Sequence, residues 1–257
     1  MSRTGRFIER ALPESSEPIV SLNDLKTLLF DVPEDIDFNE ALLSAGVDAS
    51  FVIDNAMPAV KRASANGVLK KLNISEEEAL IIAAFTVQCP EGSLSMCDAL
   101  NNVLRGARDR DSLVRTRMLL VLFLRTLRQL PMVHMNELYR GIDSSLLPLL
   151  KNDTVLTWWA FTSLTWNADA TNAFVGASNG LFILKGPCKG YDLSELSVCP
   201  EESEFLLEPE TLVRMTTVIN MRPTILLVNC CIKPSELVLQ EILLLSLFLF
   251  YNYCVLY

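Results

Sequence analysis

Three short pieces of the chain carry residue types that could act on one molecule. In Tyr139-Arg140-Gly141 an arginine ends a short apolar run. Its guanidinium is a planar fork of donors that matches phosphate or ribose oxygens, and Gly141 leaves room for a ligand beside the backbone. In Trp158 to Thr165, strand alternation puts Trp159, Phe161, Ser163 and Thr165 on one face, so two hydroxyls share one end of it. There a hydroxyl can orient a bound sugar or a neighbouring glutamate. With no histidine or lysine at a motif spacing to activate it, Ser163 is a poor nucleophile. The third piece, Glu201-Glu202-Ser203-Glu204, enters the apolar run Phe205 to Leu207, and in extended backbone Glu202 and Glu204 point the same way. Side-by-side carboxylates repel, which lets a site hold one charged beside a forming cation while the other binds a cationic partner. Breaking a ribose N-glycosidic bond develops such a cation at the anomeric carbon. Singly, each piece also reads as structure: a salt bridge for Arg140, strand hydroxyls bonding their neighbours, a solvated acidic edge. In this order and together they suit a protein that grips a phosphorylated sugar and breaks its glycosidic bond.

The elements that must position these pieces divide the chain in two. Residues 1–20 are polar, carry Pro13 and Pro18 and show no period, so they read as a loose lead-in. Ser21 then opens a short helix through Leu25, Leu28 and Leu29, and Asp54 or Asn55 opens another through Met57 and Val60 that closes at Asn66-Gly67. Ser75-Glu76-Glu77-Glu78 is a capping box. Leu94, Cys97, Leu100 and Leu104 are at helical spacing, and a long helix is expected from about 111 to 130, ahead of Pro131. From Val133 onward short apolar runs alternate with turn residues: Val155 to Thr165, Leu181 to Leu184, Phe205 to Leu207, Leu212 to Val218 and Thr224 to Val228. Gly180, Gly186-Pro187, Gly190, Pro200, Pro209 and Pro223 punctuate them, which is a strand texture. Helices first and strands later predict an α+β protein.

Composition narrows the partners. Half of the 257 residues are apolar, enough for a sizeable core, and the net charge of −9 argues against broad nucleic-acid binding. Seven scattered cysteines and a single histidine, His134, suggest neither a disulfide framework nor a zinc site, so no metal is expected. Residues 1–10 carry charge without the apolar run of a secretory signal, and an intracellular, cytoplasmic protein is expected. The end, Ile242 to Tyr257, is almost wholly apolar and roughly 16 residues long against the ~20 that span a bilayer. It reads three ways: a membrane tether, a buried terminal helix, or a tail outside the folded domain.

Taken in order, the three pieces resemble the arginine-specific mono-ADP-ribosyltransferases, a family with an Arg, Ser, Glu signature and a Glu-x-Glu motif. The similarity extends over residues 72–218. Leu72-Asn73-Ile74-Ser75-Glu76-Glu77-Glu78-Ala79 with Ala84-Phe85-Thr86 looks like the family's helix opening, with Phe85 where tyrosine is usual. Leu100 to Arg105 and Leu127 to Pro131 resemble the helices before the arginine strand, Leu138-Tyr139-Arg140-Gly141. Phe161-Thr162-Ser163-Leu164-Thr165 resembles the Ser-x-Ser/Thr strand, and Tyr191 to Leu207 the acceptor-recognition loop with its Glu-x-Glu end.

The resemblance implies a helical subdomain followed by a two-sheet, mixed but mostly antiparallel core over residues 21–228, with 229–257 as the apolar tail. NAD would lie between the sheets as ADP-ribose donor. Arg140, with Gly141 and Ser163, would bind it. Ser163 would also support Glu204, which would stabilise the oxocarbenium as nicotinamide leaves. Glu202 would orient the guanidinium of a protein arginine, and residues 193–201 would meet the target. Two further readings go with it: an NAD glycohydrolase, in which water replaces the acceptor, and a non-catalytic scaffold of the same fold held at a membrane.

Overall fold

The computed structural model describes residues 8–9, 32–33, 35–105, 110–143, 153, 155–170, 179–209, 211–221 and 225–233. The helix expected from Ser21 and the apolar end from Ile242 lie outside them. Among the described residues helices precede all but one strand, β1 (Ile8–Glu9), as expected of an α+β chain. Ile8 and Glu9 thus depart from a structureless lead-in: they pair in parallel with Gly141 and Ile142.

Four of the described helices start at a side chain that satisfies an orphan amide. Asp37 accepts from the Glu40 amide to open α1 (Phe38–Ser44), and Asp48 from the Phe51 amide to open α2 (Ala49–Ala65). The expected start of α2 at Asp54 or Asn55 is therefore six or seven residues late. Pro58 stands inside this helix, on its exposed side. After Asn66 and Gly67, whose φ is +74°, comes α3 (Val68–Leu72). The capping box of α4 (Glu76–Phe85) is complete: the Glu78 amide donates to Ser75 Oγ at 3.1 Å and the Ser75 amide to the Glu78 carboxylate at 2.7 Å. Ser95 caps α5 (Met96–Leu104), and α6 (Arg110–Leu127) is the long helix expected before Pro131. No described helix is long and apolar enough to cross a membrane.

The remaining strands are β2 (Val133–Asp143), β3 (Val155–Trp158), β4 (Thr162–Thr165), β5 (Asn179–Asp192), β6 (Glu204–Leu207), β7 (Thr211–Met221) and β8 (Ile225–Lys233). Their hydrogen bonding runs in the order β1-β2-β4-β6-β5-β8-β7-β3, and β2 also pairs with β5. Strands β2, β4, β6 and β5 therefore form a closed ring, and β5 carries β8, β7 and β3 on its other side. The pairings are antiparallel except β1 with β2 and β5 with β8. Because β8 runs to Lys233, the folded domain reaches beyond residue 228, and residues 229–233 belong to the sheet rather than to a tail.

Two cores flank the ring. Helical residues such as Phe85, Phe123 and Leu127 pack with Phe161, Tyr191 and Leu206, while Leu138, Ile142, Leu164, Phe182, Phe205 and Leu207 form the second core. The ring of Phe85 stacks on Phe123 at 4.5 Å, and Phe161 meets both edge-on. β6 is buried on both faces, Leu206 in one core and Phe205 and Leu207 in the other, which is why its sequence is an unbroken apolar run. The expected strand from Val155 to Thr165 is instead two strands with a break at residues 159–161. The break serves both cores, since Trp158 enters the second and Phe161 the first.

Expected turn residues Gly186-Pro187 and Gly190 sit inside β5. Proline cannot donate to a ladder, and the register with β2 slips there: Met135 pairs with Cys188, and Glu137 with Lys185. Gly186 takes φ +114° within this bulge. At Gly190 the reason is closeness, because a Cβ would lie 2.5 Å from the Leu206 carbonyl oxygen.

Candidate active site

The three sequence pieces converge on neighbouring strands. Tyr139 of β2 pairs with Thr165 of β4, and Thr165 pairs with Glu204 of β6. Directly opposed residues of an antiparallel pair share a face, so Ser163, opposite Leu206, and Thr165, opposite Glu204, stand on the same side as that carboxylate. It is the side on which Leu206 joins the helical core. Arg140, the residue after Tyr139, donates from its guanidinium to the backbone carbonyl of Ser163 at 2.5 Å. Leu138 and Ile142, its neighbours along β2, enter the second core.

Gly141 pairs with Leu181 of β5 on one edge and with Ile8 of β1 on the other.

The glutamates are arranged differently from the expected extended pair. Residues Pro200–Glu202 form a 3-10 turn, Ser203 takes a left-handed conformation with φ +47°, and only Glu204 begins the strand. A positive φ at a serine is uncommon and is held here by tertiary bonds. Thr165 Oγ1 donates to the Glu202 carbonyl at 2.7 Å, the Trp166 amide to the Ser203 carbonyl at 3.4 Å, and the Leu193 amide to the Glu204 carbonyl at 2.9 Å. Nor are the glutamates a solvated edge. Glu202 is 8% and Glu204 0% exposed, and Arg140 and Ser163 are each 3% exposed.

The segment from Leu193 to Ser203, which joins β5 to this turn, is anchored on the helices by side chains whose anchoring role the sequence does not announce. Arg62 of α2 donates to the Ser197 carbonyl at 2.5 Å. Thr86, the C-cap of α4, accepts from the Val198 amide at 2.9 Å. Lys71 of α3 pairs with Glu195 at 2.7 Å, and the Asp192 carboxylate accepts from both the amide and the hydroxyl of Ser194. Asn101 of α5 donates to the Phe161 carbonyl at 3.1 Å, just before β4. None of these side chains has a local signal that marks it, because each acts over 60 residues or more of sequence, except Asp192.

A second polar knot closes the far end of β6. Glu208 receives Arg128 Nε at 3.3 Å and the Tyr191 hydroxyl at 2.7 Å. Burial and the Glu208 charge push the Tyr191 pKa well above the usual tyrosine value. Among the described residues no cluster of His, Cys, Asp and Glu is placed to hold a metal ion.

No protein-family model and no curated protein matches the chain. Solved structures do. The Vis toxin, an ADP-ribosyltransferase from Vibrio splendidus, matches with a TM-score of 0.51 at 21% identity, over 74% of this chain and 88% of that one. This is the ADP-ribosyltransferase fold. The ADP-ribosyltransferase HopU1 of Pseudomonas syringae pv. Tomato DC3000 matches at 0.50 and 16% identity, over 83% and 88% of the two chains. The type III effector XopAI from Xanthomonas axonopodis pv. citri matches at 0.50 and 13%, over 88% and 96%. The expected helical part ahead of a mixed, mostly antiparallel sheet core is what the fold provides.

Proposed function

We propose that this chain is an ADP-ribosyltransferase that takes NAD as donor, moves its ADP-ribose to an arginine of a protein and releases nicotinamide. The observation that supports this most is that, in a chain of this fold, β4 and β6 bring the Ser163 and Thr165 side chains and the buried Glu204 to one face, while Arg140 of β2, on the opposite face with Leu138 and Ile142, is tied to the Ser163 carbonyl. The residue types fit the molecule: NAD offers phosphates to a guanidinium, ribose hydroxyls to Ser163, and an anomeric carbon that becomes positive to Glu204.

In this reading Arg140 holds the donor and keeps β2 tied to the Ser163 backbone. The Glu204 carboxylate, on a strand buried on both faces, is held in place and stabilises the positive charge as the bond from the anomeric carbon to nicotinamide breaks, its electron pair leaving with nicotinamide. Glu202 orients the acceptor guanidinium. One of its nitrogens forms the new bond to the anomeric carbon, and a proton is released. Where no acceptor is placed, water takes that position and the outcome is NAD hydrolysis.

The experiment is nicotinamide release from NAD with and without agmatine, an arginine-like acceptor, for the wild type, Glu204→Ala and Glu202→Gln. Release that rises with agmatine and disappears in Glu204→Ala supports the transferase. Glu202→Gln is expected to lose the agmatine-dependent part and keep hydrolysis. A second reading, a non-catalytic protein of the same fold, is favoured by the burial of Arg140, Ser163 and Glu204 and by β1 lying beside Gly141. A folded wild type that releases no nicotinamide decides for it.

A further inference from the structure

Trp166, the residue after β4, is 42% exposed. A single exposed aromatic needs no explanation in itself. Its tether does. The Trp166 amide bonds to the carbonyl of Ser203, the residue between the two glutamates, and the preceding Thr165 both pairs with Glu204 and bonds to the Glu202 carbonyl. On the next residue the Asn167 amide donates back to Thr165 Oγ1 at 3.0 Å. The backbone that carries this indole is therefore fixed to the backbone of both carboxylate residues. The adjoining segment, Leu193 to Ser203, supplies Glu195, Glu201 and Glu202 but no aromatic residue.

A guanidinium has two chemically different surfaces. Its edge N–H groups suit carboxylates, and its faces suit an aromatic ring, tryptophan better than tyrosine or phenylalanine. A protein that positions a guanidinium for attack must fix both, because edge contacts alone let the plane rotate about the carboxylate axis. We propose that Trp166 is the acceptor platform: its indole takes the face of the arginine guanidinium while Glu202 takes an edge. Trp166 is then a specificity-determining residue on the acceptor side only. This rests on the arginine-transfer reading above.

The test uses the full chain, agmatine as probe, and three proteins: wild type, Trp166→Ala and Trp166→Phe. Expected are an agmatine KM raised about tenfold in Trp166→Ala, most of that recovered in Trp166→Phe, and NAD KM and acceptor-free hydrolysis within about twofold of wild type. An unchanged agmatine KM overturns the assignment. So does a parallel loss of hydrolysis, which would put Trp166 on the donor side or in the fold. Agmatine binding by calorimetry separates the two layers. If the wild type binds agmatine, Trp166→Ala loses it and neither releases nicotinamide, the platform stands and the transferase reading fails. If the wild type does not bind agmatine at all, the platform is overturned.

Discussion

Thr165 and Glu204 stand opposite one another in the pairing of β4 with β6, and the Thr165 hydroxyl donates to the carbonyl of Glu202 at 2.7 Å. One side chain thus sets the strand position of one glutamate and the turn that presents the other. Thr165→Val leaves the Glu202 carbonyl without this donor in a buried site, a cost of about 1–3 kcal/mol. Urea denaturation should show that loss, and Thr165→Ser should restore most of it. Agmatine-dependent release should fall further in Thr165→Val than NAD hydrolysis does, since the turn that carries Glu202 is what loosens.

Gly190→Ala tests how closely β5 approaches β6. The added methyl would meet the Leu206 carbonyl oxygen at 2.5 Å and the Phe205 ring at 2.6 Å, and a backbone carbonyl in a strand pair cannot swing away. Overpacking of this kind costs roughly 1–3 kcal/mol. A lower denaturation midpoint with an unchanged m-value is expected.

Thr86→Val separates loop anchoring from the chemistry. Its hydroxyl donates to the Ala83 carbonyl at 2.8 Å and accepts from the Val198 amide at 2.9 Å, so the substitution frees one amide of the segment before the glutamates. Loss of about 1 kcal/mol of local bonding should speed hydrogen exchange at Val198 by roughly fivefold. The agmatine KM should rise, and NAD hydrolysis without acceptor should be little changed.

High pH should weaken the fold through two tyrosines. Burial, then the Glu208 charge, raises the pKa of Tyr191 above its ordinary 10.0, and the hydrogen bond to Glu137 pushes Tyr139 up to about 12. Both bind their proton more tightly when folded. Their contribution is fully present below pH 10.0 and is lost as pH rises through the folded values. Denaturation followed from about pH 9 to about pH 11.5 should show falling stability, and Tyr191→Phe should make that fall shallower.

What could be read from the sequence follows from how local each interaction is. The capping box of Ser75 and Glu78 closes within one helical turn, and it stands where its residues indicate. The apolar run around Phe205 announces a buried strand, and burial on both faces confirms why it does not alternate. The order of the arginine, hydroxyl and glutamate pieces is visible, and so is their arrival on adjoining strands once the fold is granted. The left-handed Ser203 was not visible, because it is held by Thr165 and Trp166 from another strand rather than by its own side chain. The break after Trp158 was hidden for a related reason: apolarity reports that a residue is buried, not which of two cores buries it. Gly186-Pro187 reads as a turn until its partner strand is known, and only the slipped register with β2 lets β5 continue through it.

The place of β8 bears on how the chain is made. It is the last of the described strands, yet it lies between β5 and β7 rather than at a margin. As the polypeptide leaves the ribosome, β5 and β7 both emerge before the strand that joins them. Each must wait with an open hydrogen-bonding edge until Lys233 is clear of the exit tunnel. The nascent chain therefore passes through a stage at which it can be joined by the wrong strand, from itself or from a neighbouring chain, and a holding chaperone would act at that stage.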